Sequence, residues 1–457
     1  MNTRLAVVGG GWAGLATAVR ATELGWQVSV FEAARHWGGR ARALPTPEAD
    51  NAAALDNGQH ILIGAYSATL GLLERLGVDL PAALTPLPLD LRFADGGGLA
   101  VPRWAARWPQ PLDLLAAITG ARGWSWRERF ALLHASLRWR AAGFTCAPEL
   151  SVGGLCARLP ARVIAELIEP LCLSALNTPL EQASAEVFLR VLRDALFGQG
   201  HGPWRGADLL LPRVDLGELL PGPALRWLRG RGAAIQSGKR IESLQRTATG
   251  WHLQEQDFDA VVLACPPREA ARLVRSVLAS NTSPDKPAMQ WMRQAEALEY
   301  EAIATIYARA FDPHTGAPAD LPDGRAMLGL RSGALAPAQF VFDRGRLGGP
   351  RGLLAFVVSA SGTDRLELER QVLAQGRSQL GLSGLEPLQT VIEKRATFAC
   401  TPGLHRPAAA ILPGLWAAGD HVAGPYPATL EAAVRSGLWT AEQLRPLAAP
   451  RQGPSKD

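Results

Sequence analysis

The 457-residue sequence is poor in cysteine and lysine, and it has no long uninterrupted apolar run. Its five cysteines are scattered without a Cys-x-x-Cys pair, which argues against a disulfide framework and a zinc site and favours a reducing compartment. Because no stretch of roughly 18 uncharged apolar residues occurs, no transmembrane helix is predicted and any membrane contact would be peripheral. No signal-peptide pattern precedes the first predicted strand, so we expect a cytoplasmic protein.

The charge is dominated by arginine. Only four of the 47 basic residues are lysines, and the formal net charge is +5, which is too small to argue for nucleic-acid binding. Two interpretations of the arginine excess stay open: a codon preference, or a surface that meets anionic lipid or phosphate, to which guanidinium binds well. With 47 % apolar and 19 % charged residues, the chain predicts a large core spread over two or three domains.

The first forty residues have the pattern of a dinucleotide-binding unit. In chain order the pattern comprises a strand at 4–8, Gly9, Gly11 and Gly14 in GxGxxG spacing, a helix at 15–24, a strand at 26–31, and Glu32. The first glycine permits a tight turn, the second lets the backbone approach a pyrophosphate, and the third lets the helix pack on the strand. The helix N-terminus supplies free N–H groups to the phosphates, and the acid can bind a ribose diol. We therefore predict a bound dinucleotide.

Two further motifs favour FAD over NAD. Gly38-Gly39-Arg40 lies just past the acid, and a predicted strand at 414–418 runs into Gly419-Asp420 and then into Tyr-Pro-Ala-Thr-Leu-Glu at 426–431. These motifs resemble those of the flavin amine oxidase and phytoene desaturase superfamily. The resemblance implies that Arg40 clamps the FAD pyrophosphate, that Asp420 binds the ribityl chain, and that the helix after Thr429 points at the flavin. Since no cysteine follows Cys400, we expect noncovalent FAD.

The resemblance also implies an α/β fold in which a Rossmann-type FAD-binding domain is interleaved with an α+β substrate domain of antiparallel sheet and helices. Alternating apolar segments at 302–307 and 353–358 predict antiparallel strands, and residues 91–204 are predicted to be mostly helical. The predicted segments are 1–90, 205–295 and 396–447 for the FAD-binding domain, 91–204 and 296–395 for the substrate and membrane-facing domain, and 448–457 for a flexible tail.

Predicted strands at 239–244 and 251–253 are expected to pair within the FAD-binding domain. There the resemblance implies that the backbone of Ile241 contacts the adenine. The predicted cofactor-binding residues are Gly9, Gly11, Gly14, Glu32, Gly39, Arg40, Gly58, Ile241, Gly419, Asp420, Ala428 and Thr429. Because there is no second GxGxxG motif for a nicotinamide cofactor, electrons are expected from an external donor.

A narrower resemblance comes from Asp-Asn-Gly-Gln-His at 56–60, followed by Gly-Ala-Tyr at 64–66. With the C-terminal block, this string resembles the hydroxysqualene dehydroxylase family, the squalene-associated FAD-dependent desaturases. That resemblance implies reductive removal of the hydroxyl of hydroxysqualene to give squalene, for bacterial hopanoid synthesis. Two alternatives stay open: a carotenoid-type desaturase or amine oxidase working in the oxidative direction, and a non-catalytic isoprenoid-binding escort built on the same fold.

The candidate catalytic residues are His60 and Gln59. A histidine beside a flavin-adjacent glycine could protonate the leaving oxygen near neutral pH, and the amide could orient the hydroxyl. The alternative is that both side chains only bind backbone around the flavin. No metal is predicted.

The segment 103–140 combines aromatic and basic residues. It holds seven arginines against two acids, and five of the fourteen tryptophans: Trp104, Trp108, Trp124, Trp126 and Trp139. Tryptophan beside basic residues is typical of a protein that rests on anionic lipid, which predicts peripheral association with the inner membrane. The alternative is a solvated arginine-rich helical face over a core that contains tryptophan.

Overall fold

The computed structural model describes residues 3–44, 55–105, 108–109, 111–279, 285–362 and 364–444. The predicted tail at 448–457 lies outside these ranges. The first helices in them are α1 Trp12–Glu23, α2 Ser67–Arg75, α3 Leu80–Ala83, α4 Leu112–Gly120, α5 Trp126–Ala141, α6 Val152–Cys156, α7 Ala161–Val163, α8 Glu169–Leu176 and α9 Ala185–Phe197. The later ones are α10 Leu216–Leu219, α11 Pro221–Arg229, α12 Pro267–Ala279, α13 Lys286–Glu296, α14 Arg365–Leu380 and α15 Leu430–Gln443. Short 3-10 turns lie at Arg103–Ala105, Pro322–Gly324 and Arg344–Leu347, and a π-helical turn lies at Ile164–Ile168.

The strands form one mainly parallel sheet and several antiparallel ones. The first ten are β1 Arg4–Val8, β2 Gln27–Glu32, β3 Leu62–Ile63, β4 Leu84–Leu87, β5 Asp90–Arg92, β6 Gly98–Ala100, β7 Leu209–Pro212, β8 Ala234–Ser237, β9 Gln245–Arg246 and β10 Trp251–Leu253. The others are β11 Gln256–Phe258, β12 Ala260–Leu263, β13 Tyr300–Phe311, β14 Met327–Gly329, β15 Phe340–Asp343, β16 Leu353–Ser359, β17 Gly384–Phe398, β18 Ala410–Leu412 and β19 Leu415–Ala417.

The mainly parallel sheet has the order β18-β19-β12-β1-β2-β8. Its strands run parallel except for β18, which is antiparallel to β19 at one edge. Strand β1 is apolar from Leu5 to Val8, and its alternate side chains enter two different cores. One core holds helices α1, α11 and α15, and the other holds α12 and α13, so the sheet is covered on both faces. This sheet joins the start, middle and end of the chain.

The long antiparallel sheet has the order β14-β15-β16-β13-β17. The register pairs Ile303 with Ser359, which confirms the antiparallel strands predicted at 302–307 and 353–358. Successive residues of β13 again face two layers: Ile306 packs in the core under α14, and Tyr307 packs in the core shared with the helical block. That block comprises α4 to α9, which accounts for the helical character predicted for much of 91–204. The predicted α/β class is confirmed, while the domain boundaries stay a prediction.

The structure corrects one predicted strand pair. Residues 239–244 are not a strand, and β10 pairs instead with β9 and β11. The Arg272 guanidinium donates to the carbonyl oxygens of Ile241 and Glu242 at 2.7 and 2.6 Å. A side chain therefore satisfies the carbonyls that a neighbouring strand would otherwise bind.

The turn between β1 and α1 generates a test of the packing. A methyl group added at Gly14 would lie 1.9 Å from the Gly9 carbonyl oxygen, whereas one added at Gly11 would meet nothing closer than 3.8 Å. We expect Gly14→Ala to lower the free energy of unfolding by about 1–3 kcal/mol, because the helix must move away from the strand. Gly11→Ala is the matched control and should unfold like the wild type. Urea denaturation of the FAD-free proteins measures both, and equal midpoints for all three proteins would contradict this account.

Candidate cofactor and active site

The turn after β1 forms a cradle of the kind that binds a pyrophosphate. Gly9 has a φ of +118°, and a methyl group there would lie 2.4 Å from the Ala264 carbonyl oxygen. The loop of the Gly-Gly-Arg motif crosses this turn, because the Gly38 N–H donates to the Gly10 carbonyl oxygen at 2.9 Å. Within the described part of the chain, no side chain caps α1, so its first N–H groups are available to an anion. Because Gly11 carries no side chain, a phosphate group could approach its backbone closely.

Glu32 holds this loop from the end of β2. Its carboxylate accepts hydrogen bonds from the backbone N–H of Gly10 at 2.6 Å and of Ala34 at 2.8 Å. Each carboxylate oxygen keeps acceptor capacity beyond these bonds. The side chain is therefore fixed where a ribose hydroxyl could also donate to it, and the predicted ribose contact stays a prediction that this geometry fits.

Arg40 and Asp420 are predicted cofactor residues that contact each other. An Arg40 Nη2 lies 2.5 Å from an Asp420 carboxylate oxygen, and Arg40 Nη1 donates to the Ala396 carbonyl oxygen at 2.7 Å. Burial alone would raise the pKa of Asp420, but the charge of Arg40 and the neighbouring His421 hold it well below its usual range. Burial would also lower the pKa of the Arg40 guanidinium, but the nearby charge of Asp420 raises it above its usual value. The carboxylate therefore stays ionised across the physiological range.

The segment after Asp420 is held by Arg406. Its guanidinium donates to the carbonyl oxygens of Asp420 at 3.1 Å and Tyr426 at 2.9 Å, and it also contacts the Gly424 carbonyl oxygen. The Gly419 N–H donates to the Ser436 hydroxyl at 3.0 Å, which ties the end of β19 to α15.

Thr429 begins helix α15. Its hydroxyl accepts a hydrogen bond from the Ala432 N–H at 3.1 Å, so it is the N-cap of this helix. Within α15, Glu431 and Arg435 form an ion pair one turn apart, with Arg435 Nε 2.7 Å from the carboxylate. Glu431 also accepts from the backbone of Thr69 at 2.9 Å, so it joins α15 to α2. Ala428 and Thr429 are half-buried beside the end of β3, and their predicted flavin contact stays a prediction.

His60 and Gln59 are placed close together but differ in surroundings. His60 Nδ1 lies 2.9 Å from the Gly58 carbonyl oxygen, which makes this nitrogen the protonated one. Burial, aided by the charge of Arg40, lowers the pKa of His60 despite that hydrogen bond. A lowered pKa disfavours the imidazolium, which works against the expected role as a proton donor near neutral pH. Gln59 accepts from Arg344 at 3.3 Å and donates to the His60 carbonyl oxygen at 3.3 Å.

Asp56 and Arg344 form a buried charged pair that the sequence argument missed. Asp56 is 3 % exposed, accepts from the Leu216 N–H at 2.8 Å, and lies 4.0 Å from an Arg344 nitrogen. Burial raises the pKa of Asp56 to about 7, and the Leu216 hydrogen bond and Arg344 only partly oppose it. The Tyr307 hydroxyl donates to the Asp56 carbonyl oxygen at 3.0 Å, which fixes the backbone. One signal for Arg344 is present in the sequence: it follows directly after the apolar strand β15, where Asp343 and Arg344 stand side by side.

Ile241 is buried in the irregular segment between β8 and β9. Its carbonyl oxygen accepts from Arg272, and the predicted contact of its backbone with adenine stays a prediction. Of the predicted site residues, Gly9, Gly11, Gly14, Glu32 and Gly39 meet around one turn, since Gly39 approaches Gly11 closely. Within the described ranges, no group of three His, Cys, Asp or Glu side chains is placed so that it could hold a metal.

The mainly parallel sheet is covered by helices on both faces and carries this glycine turn. Together with the long antiparallel sheet, it defines a dinucleotide-binding protein of two interleaved parts. The chain belongs to the Flavin containing amine oxidoreductase family, whose model matches residues 12–445. It is an FAD-dependent oxidoreductase, and the turn at Gly11 with Glu32 fits that cofactor.

Known proteins resemble the chain along nearly its whole length. It is 27 % identical to a hydroxysqualene dehydroxylase of Sinorhizobium fredii, covering 96 % of this chain and 97 % of the relative. It is 29 % identical to a hydroxysqualene dehydroxylase of Rhodopseudomonas palustris over the same shares. Among solved structures, cyclohexylamine oxidase from Brevibacterium oxydans superposes with a TM-score of 0.62 at 15 % identity, covering 97 % of this chain and 98 % of that one. The last likeness is one of fold.

The raised pKa of Asp56 predicts how stability depends on pH. Between its ordinary pKa of 3.8 and about 7, the folded protein keeps a proton that the unfolded chain releases. The contribution of Asp56 is therefore complete at low pH and is lost as the pH rises through about 7. The amide of Asp56→Asn does not titrate, so this variant does not lose stability in the same way. As the pH is raised from about 5 to about 8, the free energy of unfolding of the variant should therefore increase by roughly 2 kcal/mol relative to that of the wild type. Urea denaturation at both pH values measures this, and a constant difference would contradict the assignment.

Proposed function

We propose that this enzyme removes the hydroxyl group of hydroxysqualene reductively and releases squalene, in bacterial hopanoid and isoprenoid biosynthesis. The observation that carries the proposal is the similarity to two hydroxysqualene dehydroxylases over 96 % of this chain. The Asp-Asn-Gly-Gln-His segment at 56–60 supports it, because the polar groups of that segment lie together with the buried pair of Asp56 and Arg344.

The chain's own residues supply binding, orientation and exclusion of water. Bound FAD in its reduced form would supply the hydride for the carbon that loses its oxygen. Glu32, Arg40 and Asp420 are proposed to hold that cofactor. In the proposed mechanism, Gln59, oriented by Arg344, hydrogen-bonds the hydroxyl, and neutral His60 presents Nε2 as a second polar contact. The departing oxygen would take up a proton from solvent and leave as water, and exclusion of further water would then protect the carbocation left behind.

Turnover tests the proposal directly. FAD-loaded enzyme, reduced chemically without oxygen, should convert hydroxysqualene to squalene, identified by mass spectrometry of the extracted lipid. In this assay the chemical reductant takes the place of the proposed external electron donor. Failure to convert hydroxysqualene together with oxidation of phytoene or of an amine would contradict the proposal in favour of the oxidative alternatives. A colourless preparation that releases no flavin on denaturation would favour the non-catalytic escort.

We further propose that the protein associates peripherally with the inner membrane from the cytoplasmic side. No helix among the described residues is long and apolar enough to span a bilayer. The apolar face, as we define it, consists of large exposed side chains on and near α4 and α5: Trp104, Trp108, Leu112, Leu115, Trp126, Phe130 and Leu137. Trp104 and Trp126 are 65 % and 61 % exposed. Trp124, which the sequence grouped with them, is buried and donates to Glu166 at 2.7 Å.

Charge complements this apolar face. Four exposed arginines flank it: Arg122, Arg127, Arg138 and Arg140. The two acids of the segment do not balance them, because buried Asp113 pairs with Arg205 at 2.7 Å and Glu128 supplies only one negative charge against four positive ones. An apolar face with a positive rim fits an anionic bilayer surface.

Vesicle co-sedimentation measures the membrane contact. Replacing both Trp104 and Trp126 by serine should reduce binding to phosphatidylglycerol-containing vesicles about tenfold or more, because two large apolar side chains no longer leave water. Trp439→Ser is the matched control, since Trp439 is 49 % exposed on α15 outside the apolar face. Equal binding by the double variant and the wild type, or an equal loss in the control, would contradict the proposed face.

A further inference from the structure

We propose that Tyr426, held by Asp194, is a further group that binds the hydroxyl of the substrate, in addition to Gln59 and His60. This assignment rests on the proposed function and names a contact that lies outside the 56–60 segment. Both residues line a small cleft, of about 30 Å³, between helices α8 and α9 of the helical block and the segment that precedes α15.

The cleft is mainly apolar; besides this pair, only Tyr66 and Thr429 bring hydroxyl groups to its lining. Its walls include Ile63 from β3, Ala175 from α8, Val191 from α9 and Pro427. Thr429, the N-cap of α15 and a predicted flavin contact, also lines it. Ile63 is three residues beyond His60, so the cleft adjoins the predicted catalytic segment on one side and the predicted flavin contact on the other. The hydroxyl-bearing part of an isoprenoid suits such walls, because its apolar carbon atoms are buried and its hydroxyl finds a polar partner.

Tyr426 is fixed in one orientation. Its hydroxyl donates to Asp194 at 2.8 Å, and the other carboxylate oxygen of Asp194 binds Arg193 at 2.8 Å. The guanidinium of Arg435 lies over the Tyr426 ring, 5.3 Å from the centroid, and Arg406 holds the Tyr426 carbonyl oxygen at 2.9 Å. Backbone, ring and hydroxyl are thus each held by a different residue. The phenol oxygen donates its only proton to Asp194 and keeps lone pairs that can accept from a ligand hydroxyl.

The electrostatic surroundings keep this phenol neutral. Burial, with the hydrogen bond to Asp194 and its negative charge, raises the pKa of Tyr426 to about 12. The residue therefore acts as a neutral hydrogen-bonding group over the working pH range and not as a base. It accepts the substrate O–H, which orients the carbon–oxygen bond, and no bond to Tyr426 is made or broken.

The test compares ligands with and without the hydroxyl. For FAD-loaded Tyr426→Phe, we expect the KM for hydroxysqualene to rise about tenfold, as for one lost hydrogen bond. The inhibition constant of squalene, which has no hydroxyl, should not change, and neither should the flavin absorption spectrum. Asp194→Leu should reproduce the defect because it removes the acceptor that holds the phenol, while Asp194→Asn should restore most of the affinity. Val191→Ala, the matched cleft variant, should weaken both ligands alike.

The outcomes separate this inference from the proposed function. Equal effects of Tyr426→Phe on hydroxysqualene and squalene, or no effect on either, would overturn the assignment of Tyr426. A wild-type enzyme that binds hydroxysqualene more tightly than squalene by quenching of flavin fluorescence, yet does not convert it, would overturn the proposed function. If in that case Tyr426→Phe abolished the preference, the hydroxyl site would be supported on its own.

Discussion

Parallel pairing of three short strands is the constraint on which the rest of the molecule depends. β1, β12 and β19 come from the start, middle and end of the chain, and their parallel register brings their carboxyl ends to one edge of the sheet. The glycine turn follows β1, and Gly419-Asp420 follows β19 by one residue. Only this arrangement lets Arg40 and Asp420, 380 positions apart, lie 2.5 Å from each other. The cofactor site is therefore a product of sheet register.

The two buried acids of the site have pKa values shifted in opposite directions. Asp420 has a guanidinium in direct contact, and its pKa falls. Asp56 has its arginine at 4.0 Å and one backbone N–H, which do not offset desolvation, so its pKa rises to about 7. The attraction between charges weakens with distance, so the closer guanidinium stabilises its carboxylate more. The site thus combines a permanent anion at Asp420 with a carboxyl group that titrates near neutral pH.

One helical block serves both lipid contacts that we propose. Helices α4 and α5 carry the apolar face, and α8 and α9 form a wall of the cleft with Tyr426. The four helices share a core with the inner face of the long antiparallel sheet, where Phe188, Tyr307 and Phe342 pack together. A lipid substrate could pass from a bilayer to the cleft along a single packed unit, with little of its apolar surface meeting water.

The sequence by itself determined the features that depend on neighbours in the chain. The glycine turn was predictable because Gly14 is required by a contact with Gly9 within one strand–turn–helix unit, and strands β13 and β16 followed from alternation. Tertiary structure alone decided which long side chains meet. Arg272 binds carbonyl oxygens of the irregular segment 239–244, and buried Trp124 donates to Glu166. Asp194 accepts a hydrogen bond from Tyr426, 232 positions away in the chain. The physical reason is that such partners are chosen by packing between distant segments, for which local spacing carries no signal.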